Sequence, residues 1–316
     1  MQLPPEARGV IEEFASRVPP AVLKRAVGAM TEHYRGRLGS ASLILSAEEK
    51  IAAYLVTRLP ATYAAAHAVL SEVGRRLGEL RLVSALDLGA GAGAATLALR
   101  AAFPAMERCT LIEADRAFAG IAAKLIPDAE LRVEDLRRLD PLPAHDLLVA
   151  SYSLGELRAE DRRAVLERAW QAAGAVLVVV EPGSPAGFAV IRDARDCLIR
   201  RGAHIIAPCP GEGPCPMTAP DWCHFGQRVE RTSLHRRMKG GALGYEDEKF
   251  SYVALAKEAV HRAQQRIIRR PEHHPGLIQL VLCRGDEVRT ERVTRRHPDE
   301  FRDARRAEWG GEWHST

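Results

Sequence analysis

Four cysteines in the second half of the chain have the spacing of a metal or iron–sulfur site. Cys209, Cys215 and Cys223 fall within fifteen residues of a proline-rich loop, and Cys283 ends a later apolar run. Three thiols close together and one distant thiol can surround a tetrahedral metal ion or an iron–sulfur cluster. The gaps of five, seven and 59 residues between successive cysteines are longer than those of zinc knuckles, so they favour a cluster.

Two other interpretations of these cysteines stay open. His204 and His224 lie near the loop and could complete a zinc site instead. Alternatively, the loop cysteines bind nothing and Cys283 packs separately, because free cysteine is commonly buried as a small apolar side chain. Cys109 and Cys197 lie inside a predicted strand and a predicted helix, where we expect buried packing.

A glycine-rich loop, D-L-G-A-G-A-G, could bind a nucleotide. Gly89, Gly91 and Gly93 follow a predicted strand and open a predicted helix, so the backbone can turn tightly and approach a ligand. Asp87 stands two residues before the first glycine, as in the D/E-x-G-x-G-x-G loop of adenosylmethionine-dependent methyltransferases. Ala94 also satisfies the dinucleotide form, and a tight turn without ligand is the third alternative. We expect S-adenosylmethionine, because a long helical segment before the loop is unusual for dehydrogenases.

Two acids are placed to contact the same nucleotide. Glu113 ends the second predicted strand, where a carboxylate binds ribose hydroxyls, and Asp135 ends the third, near the expected adenine. After the fourth strand, residues 151–157 read S-Y-S-L-G-E-L instead of the N/D-P-P-aromatic motif of exocyclic amine methylation. Glu156 and Glu181 are the remaining candidates for a catalytic acid or base, and either could equally be a solvated acid at a strand end.

The pattern of apolar residues changes along the chain. Residues 1–80 have apolar positions spaced by three and four, which predicts an N-terminal helical region. Ser46 and Glu49 resemble a capping box that opens one helix, and Pro60 predicts the end of another. Residues 81–202 alternate five apolar strands with helices, which predicts a nucleotide-binding core.

The fold class that follows is α/β, a doubly wound, Rossmann-like sheet of the adenosylmethionine-dependent methyltransferase type. Residues 203–316 would add a Cys-rich insertion, the last strands of the sheet and a basic C-terminal tail. In this arrangement the insertion lies between the fifth and sixth strands. Cys283 would then end the seventh strand of the same sheet.

Composition excludes some classes of protein and suggests a partner. The 316 residues are 47% hydrophobic and 27% charged with a net charge of +4, and no apolar run is long enough for a membrane span. The first residues lack the features of a signal or transit peptide, so we expect a reducing cytoplasm. Late arginines interleave with aromatic residues, which suits RNA as well as it suits a solvated surface.

Several segments resemble the Rsm-type methyltransferase-like family of the mitochondrial small ribosomal subunit, also called methyltransferase-like protein seventeen, and its bacterial relatives. These segments are A-Y-L-V-T-R-L-P-A-T-Y, D-L-G-A-G-A-G, V-V-V-E-P-G-S-P-A-G-F, A-P-C-P, P-C-P, D-W-C-H-F, L-G-Y-E-D-E-K-F-S-Y-V and R-I-I-R-R-P. The resemblance covers nearly the whole chain, and the cysteine register makes it specific. The late W-G-G differs slightly from the usual W-G-D of the family.

The resemblance implies an adenosylmethionine-type fold and a [4Fe–4S] cluster on Cys209, Cys215, Cys223 and Cys283. It also implies a role in assembling the small ribosomal subunit on its RNA. Three functions are therefore in competition: an RNA methyltransferase, a non-catalytic assembly factor with the same pocket, and a small-molecule methyltransferase or dehydrogenase with an unrelated zinc loop. In the absence of a transit peptide, a bacterial cytoplasmic member is expected.

Overall fold

The computed structural model describes residues 3–34, 45–239 and 243–314, and the chain begins with helices. These are α1 (Pro5–Ser16), α2 (Pro20–Tyr34) and α3 (Ala47–Leu77). The capping box predicted at the start of α3 is confirmed. The Glu49 amide donates to the Ser46 hydroxyl at 3.2 Å, and the Glu49 carboxylate accepts from the Ser46 amide at 2.9 Å.

The predicted helix end at Pro60 is wrong, because Pro60 lies inside the 31-residue helix α3. A proline in a helix interior costs about 3 kcal/mol. Burial of Leu55, Leu59 and Tyr63 in the core offsets this cost, since each such side chain contributes about 2 kcal/mol. Despite the length of α3, no helix in the described ranges is both long and apolar enough to cross a membrane.

Five parallel strands and their helical crossovers form the first part of the main sheet. The strands are β1 (Ser84–Leu88), β2 (Arg108–Ile112), β3 (Glu130–Arg132), β4 (His145–Ser151) and β5 (Ala173–Pro182). The helices are α4 (Ala94–Ala102), α5 (Arg116–Leu125), α6 (Ala159–Ala172) and α7 (Pro185–Ile199). Helices α3, α4 and α5 share a core with one face of the sheet, and α6 and α7 share a core with the other.

The strand order β3-β2-β1-β4-β5-β8-β6 confirms the doubly wound fold class. Strand β8 (Tyr245–Ala256) runs antiparallel between β5 and β6 (His204–Ala207), and β7 (Phe225–Glu230) pairs with its first half. The order reverses between β1 and β4, and ligands of open α/β sheets bind at that switch point, outside the carboxyl ends of the strands. The topology therefore locates a crevice before any side chain is considered.

A second sheet carries Cys283, so its predicted place in the main sheet is wrong. This sheet contains β9 (Arg266–Ile267), β10 (Glu272–His274), β11 (Leu277–Arg284) and β12 (Glu287–Thr294), and it packs beside α9 (Pro298–Ala304). Leu280 and Leu282 point into the core shared with α9, whereas Val281 and Cys283 point to the opposite face. The short helix α8 (Ser233–Lys239) precedes β8.

A buried ion pair joins the N-terminal helices to the second sheet. The Arg266 guanidinium on β9 donates to the Glu72 carboxylate on α3 at 2.9 Å, and both side chains are at least nine-tenths buried. Arg266 also donates to the carbonyl of Pro208 at 3.0 Å and to that of Gly310 at 2.7 Å. One side chain thus fixes a helix, the start of the cysteine loop and the C-terminal segment.

We predict that Glu72→Gln lowers the free energy of unfolding by about 3 kcal/mol, because it leaves the Arg266 cation buried without its counter-ion. Urea denaturation measures this change. Arg75→Gln is the matched control: Arg75 also pairs with Glu72, but its side chain is 72% exposed, so little stability should be lost. Equal losses of stability in Glu72→Gln and Arg75→Gln would show that the buried pair of Glu72 with Arg266 contributes no more than the exposed pair with Arg75.

Candidate nucleotide pocket and cysteine cavity

A pocket of ≈ 290 Å³ lies at the carboxyl ends of β1, β2 and β4, at the topological switch point. Helices α2 and α3 cover it through Met30, Lys50 and Tyr54, and the Tyr54 ring meets the edge of Phe118 on α5 with centroids 4.9 Å apart. Of the predicted cofactor residues, the lining includes Asp87, Gly89, Gly91, Glu113 and Asp135. Gly93 begins the turn into α4 beside them.

The three glycines of the loop all have positive φ angles, but for different reasons. A Cβ atom on Gly89 would lie 2.6 Å from Cβ of Ser153, and one on Gly93 would lie 2.7 Å from Cδ1 of Ile126. Both positions are therefore closed to side chains by packing. A Cβ on Gly91 would meet only the Tyr54 hydroxyl at 3.5 Å, so Gly91 faces the open pocket.

Asp87 ties β1 to the helix that follows the loop. Its Oδ2 accepts from the Thr96 hydroxyl at 2.7 Å and from the Thr96 amide at 3.1 Å. Its Oδ1 is buried without a partner among the described residues. Burial raises the pKa of Asp87 to about 7, against the effect of the bonds from Thr96. Asp87 therefore orders the loop with one oxygen and keeps the other free of hydrogen bonds to the described residues.

Glu113 binds the backbone of the glycine loop directly. The Gly91 amide donates to Oε2 of Glu113 at 2.7 Å, and the Asp115 amide donates to Oε1 at 2.7 Å. An N–H group that would otherwise face a ligand phosphate is thus already bonded to a carboxylate. Sequence reasoning predicted the position of Glu113 but missed this bond.

The pocket is acidic. Six carboxylate residues line it and Lys50 is its one lining cation among the described residues; the acids are Asp87, Glu113, Asp115, Glu134, Asp135 and Glu156. Asp135 lies three residues beyond the end of β3 and bonds Arg137 through both oxygens, which lowers the pKa of Asp135 to about 2. This lining favours a cationic ligand over one with a pyrophosphate.

Tyr152 is a pocket residue that sequence reasoning missed as a site candidate. It has φ 58°, which is unusual for a residue other than glycine. Its hydroxyl donates to Glu248 on β8 at 3.0 Å, and Arg58 on α3 donates to both Glu248 oxygens at 3.0 and 3.2 Å. Only the tertiary fold brings these three residues together, so no local signal could have identified them.

The two candidate acids after β4 and β5 lie in different places. Glu156 lines the pocket, whereas Glu181 is 1% exposed and accepts from the Gly155 amide at 2.9 Å, outside the lining. Burial raises the pKa of Glu181 to about 7. Its position supports the turn after β4 and does not present a base to the pocket.

The four predicted cysteine ligands line a single second cavity. Cys209 and Cys215 come from the loop after β6, Cys223 precedes β7, and Cys283 reaches the cavity from β11. Burial raises the pKa of Cys283 to about 12, and it raises the pKa of Cys209 and Cys223 too. Within the described ranges, no group of three or more His, Cys, Asp or Glu side chains could hold a metal ion.

The remaining sulfur and imidazole candidates lie elsewhere. Cys109 and Cys197 are buried, as expected for packing residues. His224 stacks on Trp222 with centroids 5.1 Å apart, and His204 lies 3.5 Å from Glu212. Neither histidine lines the cysteine cavity.

Comparison with known proteins identifies the family. The profile of the family described as mitochondrial small ribosomal subunit Rsm22 matches residues 48–314. The chain belongs to this Rsm22 family. It is 28% identical to the human ribosome assembly protein METTL17, mitochondrial, over 81% of this chain and 61% of that protein. It is 24% identical to Rsm22-cox11 tandem protein 2, mitochondrial, of Schizosaccharomyces pombe, over 83% of this chain and 43% of that protein.

The chain thus spans less than two thirds of the length of these Rsm22 relatives. Among solved structures it is similar to the magnesium protoporphyrin IX methyltransferase of Synechocystis PCC 6803 with bound SAH. That likeness has a TM-score of 0.42 and 13% identity, over 68% of this chain and 88% of that one. The prediction of a cytoplasmic protein is wrong, because the family profile and both relatives are mitochondrial. It rested on the absence of signal-peptide and transit-peptide features in the first residues.

The late basic residues of this Rsm22 protein divide into paired and unpaired groups. Arg231 and Lys239 both contact Glu246, at 2.9 and 2.7 Å, and Arg228 and Arg270 both contact Asp247 at 3.2 Å. A second group is exposed and forms no ion pair with the described part of the chain; it contains Arg236, Arg237, Arg292, Arg296, Arg305 and Arg306. The second group is therefore available for an anionic partner.

We predict that Glu181 makes stability depend on pH. Its pKa is about 7 in the folded protein against an ordinary 4.5, so the folded state binds more protons between these values. Stability therefore falls as pH rises through that window, by up to about 3 kcal/mol. Glu181→Gln keeps an acceptor for Gly155 and should reduce this slope in denaturation curves at about pH 5 and about pH 8, leaving the share of Asp87, whose pKa is also raised to about 7. Exposed Glu160→Gln is the control, and an unchanged slope in Glu181→Gln would contradict the assignment.

Proposed function

We propose that the chain binds S-adenosylmethionine at the switch point, holds an iron–sulfur cluster on its four clustered cysteines, and acts on small-subunit ribosomal RNA or in assembly of the small subunit. The observation that carries the first part is the bond from the Gly91 amide to Glu113 in an acidic pocket. The family and the name of the human relative support the last part.

The bond from Gly91 favours S-adenosylmethionine over a dinucleotide. Dinucleotide sites bind the pyrophosphate through the N–H groups of the glycine loop and the helix N-terminus. Here the Gly91 N–H already donates to a carboxylate, and further carboxylates line the pocket. A pyrophosphate would be repelled there, whereas the sulfonium and ammonium groups of the methyl donor would be attracted.

Each proposed contact follows from the position of the residue. Gly89, Gly91 and Gly93 would keep the backbone close to the methionine part of the ligand, and Asp87 would hold their helix in place. Glu113 would accept from the ribose hydroxyls with its remaining lone pairs. Asp135 would lie at the adenine end, as the sequence predicted.

We predict that titration calorimetry detects S-adenosylmethionine binding and no comparable binding of NAD. Glu113→Gln removes the charge and should weaken S-adenosylmethionine about tenfold, or about 1.4 kcal/mol. Glu107→Gln at the opposite end of β2 is the control, because Glu107 pairs with Arg81 on the surface. Tighter binding of NAD, or full affinity in Glu113→Gln, would contradict the proposed ligand.

The cysteine cavity suits a cluster better than a single zinc ion. Zinc binds four thiolates at about 2.3 Å and would draw them onto one point. The four thiols line one cavity, and the gaps of five, seven and 59 residues between them are longer than those of zinc knuckles. Cys209, Cys215, Cys223 and Cys283 would be the ligands, and a bound [4Fe–4S] group would stabilise the loop because ligand binding couples to folding.

We predict that anaerobically purified protein absorbs near 400 nm and contains about four irons and four sulfides per chain. Cys215→Ser should lose colour, iron and soluble yield together. Cys197→Ser should keep its iron, because Cys197 is buried and does not line the cavity. One zinc per chain, or unchanged iron in Cys215→Ser, would overturn the cluster.

The RNA part of the proposal is supported by the unpaired arginines as well as by the family. We predict that the chain binds small-subunit RNA with an affinity that falls steeply with salt. Arg305→Glu together with Arg306→Glu should weaken binding and reduce the salt slope by roughly one to two. Arg158→Glu together with Arg163→Glu, on α6, keeps the net charge equal as a control. Equal losses in both pairs would mean that only overall charge matters.

A second candidate is an assembly factor that does not transfer methyl groups. It is favoured by the missing N/D-P-P-aromatic motif and by Tyr152, which occupies this region with its hydroxyl fixed by Glu248. Labelled methyl groups incorporated into small-subunit RNA, and lost in Gly91→Arg, would decide for the enzyme. Ligand binding without incorporation would decide for the assembly factor.

A further inference from the structure

Arg195 on α7 is a buried cation at the cysteine cavity. It is 4% exposed and lines the cavity together with the four thiols. Its Nη2 donates to the carbonyls of Gly211 at 3.0 Å and Gly213 at 2.5 Å, and its Nη1 donates to Asp196 at 2.7 Å. Its Nε is buried and has no partner among the described residues.

The unpartnered Nε is costly unless something in the cavity accepts from it. An unsatisfied buried donor costs about 1–3 kcal/mol, and more when the donor is charged. The counter-ion Asp196 is 40% exposed, so solvent screens much of its attraction for Arg195. An anionic group bound among the thiols would both accept the N–H bond and balance the buried charge.

Two neighbouring arginines show what is particular to Arg195. Arg266 also lines the cavity, but its three nitrogens donate to Pro208, Gly310 and Glu72, so its bonds and its charge are satisfied. Arg262 holds the same loop from outside, through the Pro210 carbonyl and Glu212. Arg195 both donates to the loop carbonyls of Gly211 and Gly213 and keeps an Nε–H that has no acceptor among the described residues.

We propose that Arg195 is a positioning residue and counter-charge for an anionic iron–sulfur–thiolate group. Its Nη2 fixes the backbone between Cys209 and Cys215, and its Nε–H bonds a sulfur of that group. This inference rests on the proposed cluster. It adds a consequence for redox behaviour, because hydrogen bonds to sulfur and nearby charge set the reduction potential of such clusters.

The expected direction of the change in midpoint potential follows from the positive charge of Arg195. One electron from a chemical reductant makes the cluster more negative and breaks no bond, so a fixed cation favours the reduced state. Arg195→Met should shift the midpoint potential to a more negative value and speed the loss of iron to a chelator several-fold. Arg195→Lys keeps the charge but loses the several N–H donors of the guanidinium. The midpoint potential of the cluster should therefore stay near that of the unchanged protein, while iron is lost faster.

The test is a potentiometric titration and a chelation time course on anaerobically reconstituted full chain. Arg262→Met is the matched control: it removes a contact to the same loop but no donor to the cavity, so the midpoint potential should be unchanged. Unchanged potential and chelation rate in Arg195→Met would overturn the role of Arg195 while leaving the cluster intact. Should Arg195→Met fail to fold, an unchanged chelation rate in Arg195→Lys would overturn it. A wild-type chain without a cluster would refute the proposed function as well.

Discussion

The buried ion pair between Glu72 and Arg266 is the interaction on which the relative position of both cavities depends. Helix α3 carries Glu72 toward its C-terminal end and the pocket residue Tyr54 toward its N-terminal end. Arg266 holds the Pro208 carbonyl, one residue before Cys209. Separating the pair would leave each charge buried without its counter-ion, which is strongly destabilising. The helix over the nucleotide pocket and the loop of the cysteine cavity are therefore fixed to each other.

Strand β8 is the second element that the two cavities share. In its first half, Glu248 accepts from Tyr152 in the switch-point pocket, and three residues later the Ser251 hydroxyl donates to the carbonyl of Cys223 at 2.8 Å. The register of β8 against β5 also places Ser251 opposite Glu181. One hydrogen-bonded strand thus contacts residues of both cavities.

The local parts of this arrangement could be predicted from sequence, and the long-range parts could not. The glycine loop and the capping box at Ser46 depend on residues a few positions apart, and Glu113 directly follows a strand that its own apolar run predicts, so local pattern was sufficient. Pro60 continued its helix because tertiary burial outweighs a local penalty. Tyr152 acquires its partner Glu248, and Arg195 its loop partners Gly211 and Gly213, from other segments of the chain, which periodicity does not report.

The position of Cys283 on β11 depends on strand register. Cys283 lies opposite Val288 on one side and Arg266 on the other, so its backbone is held by two neighbouring strands. Because side chains alternate between faces, a slip of one residue would turn Leu282 toward the other thiols and Cys283 into the core. The four thiols can therefore meet at one cavity only after the second sheet has paired in the correct register, so the assembled sulfur site reports that this sheet has folded correctly.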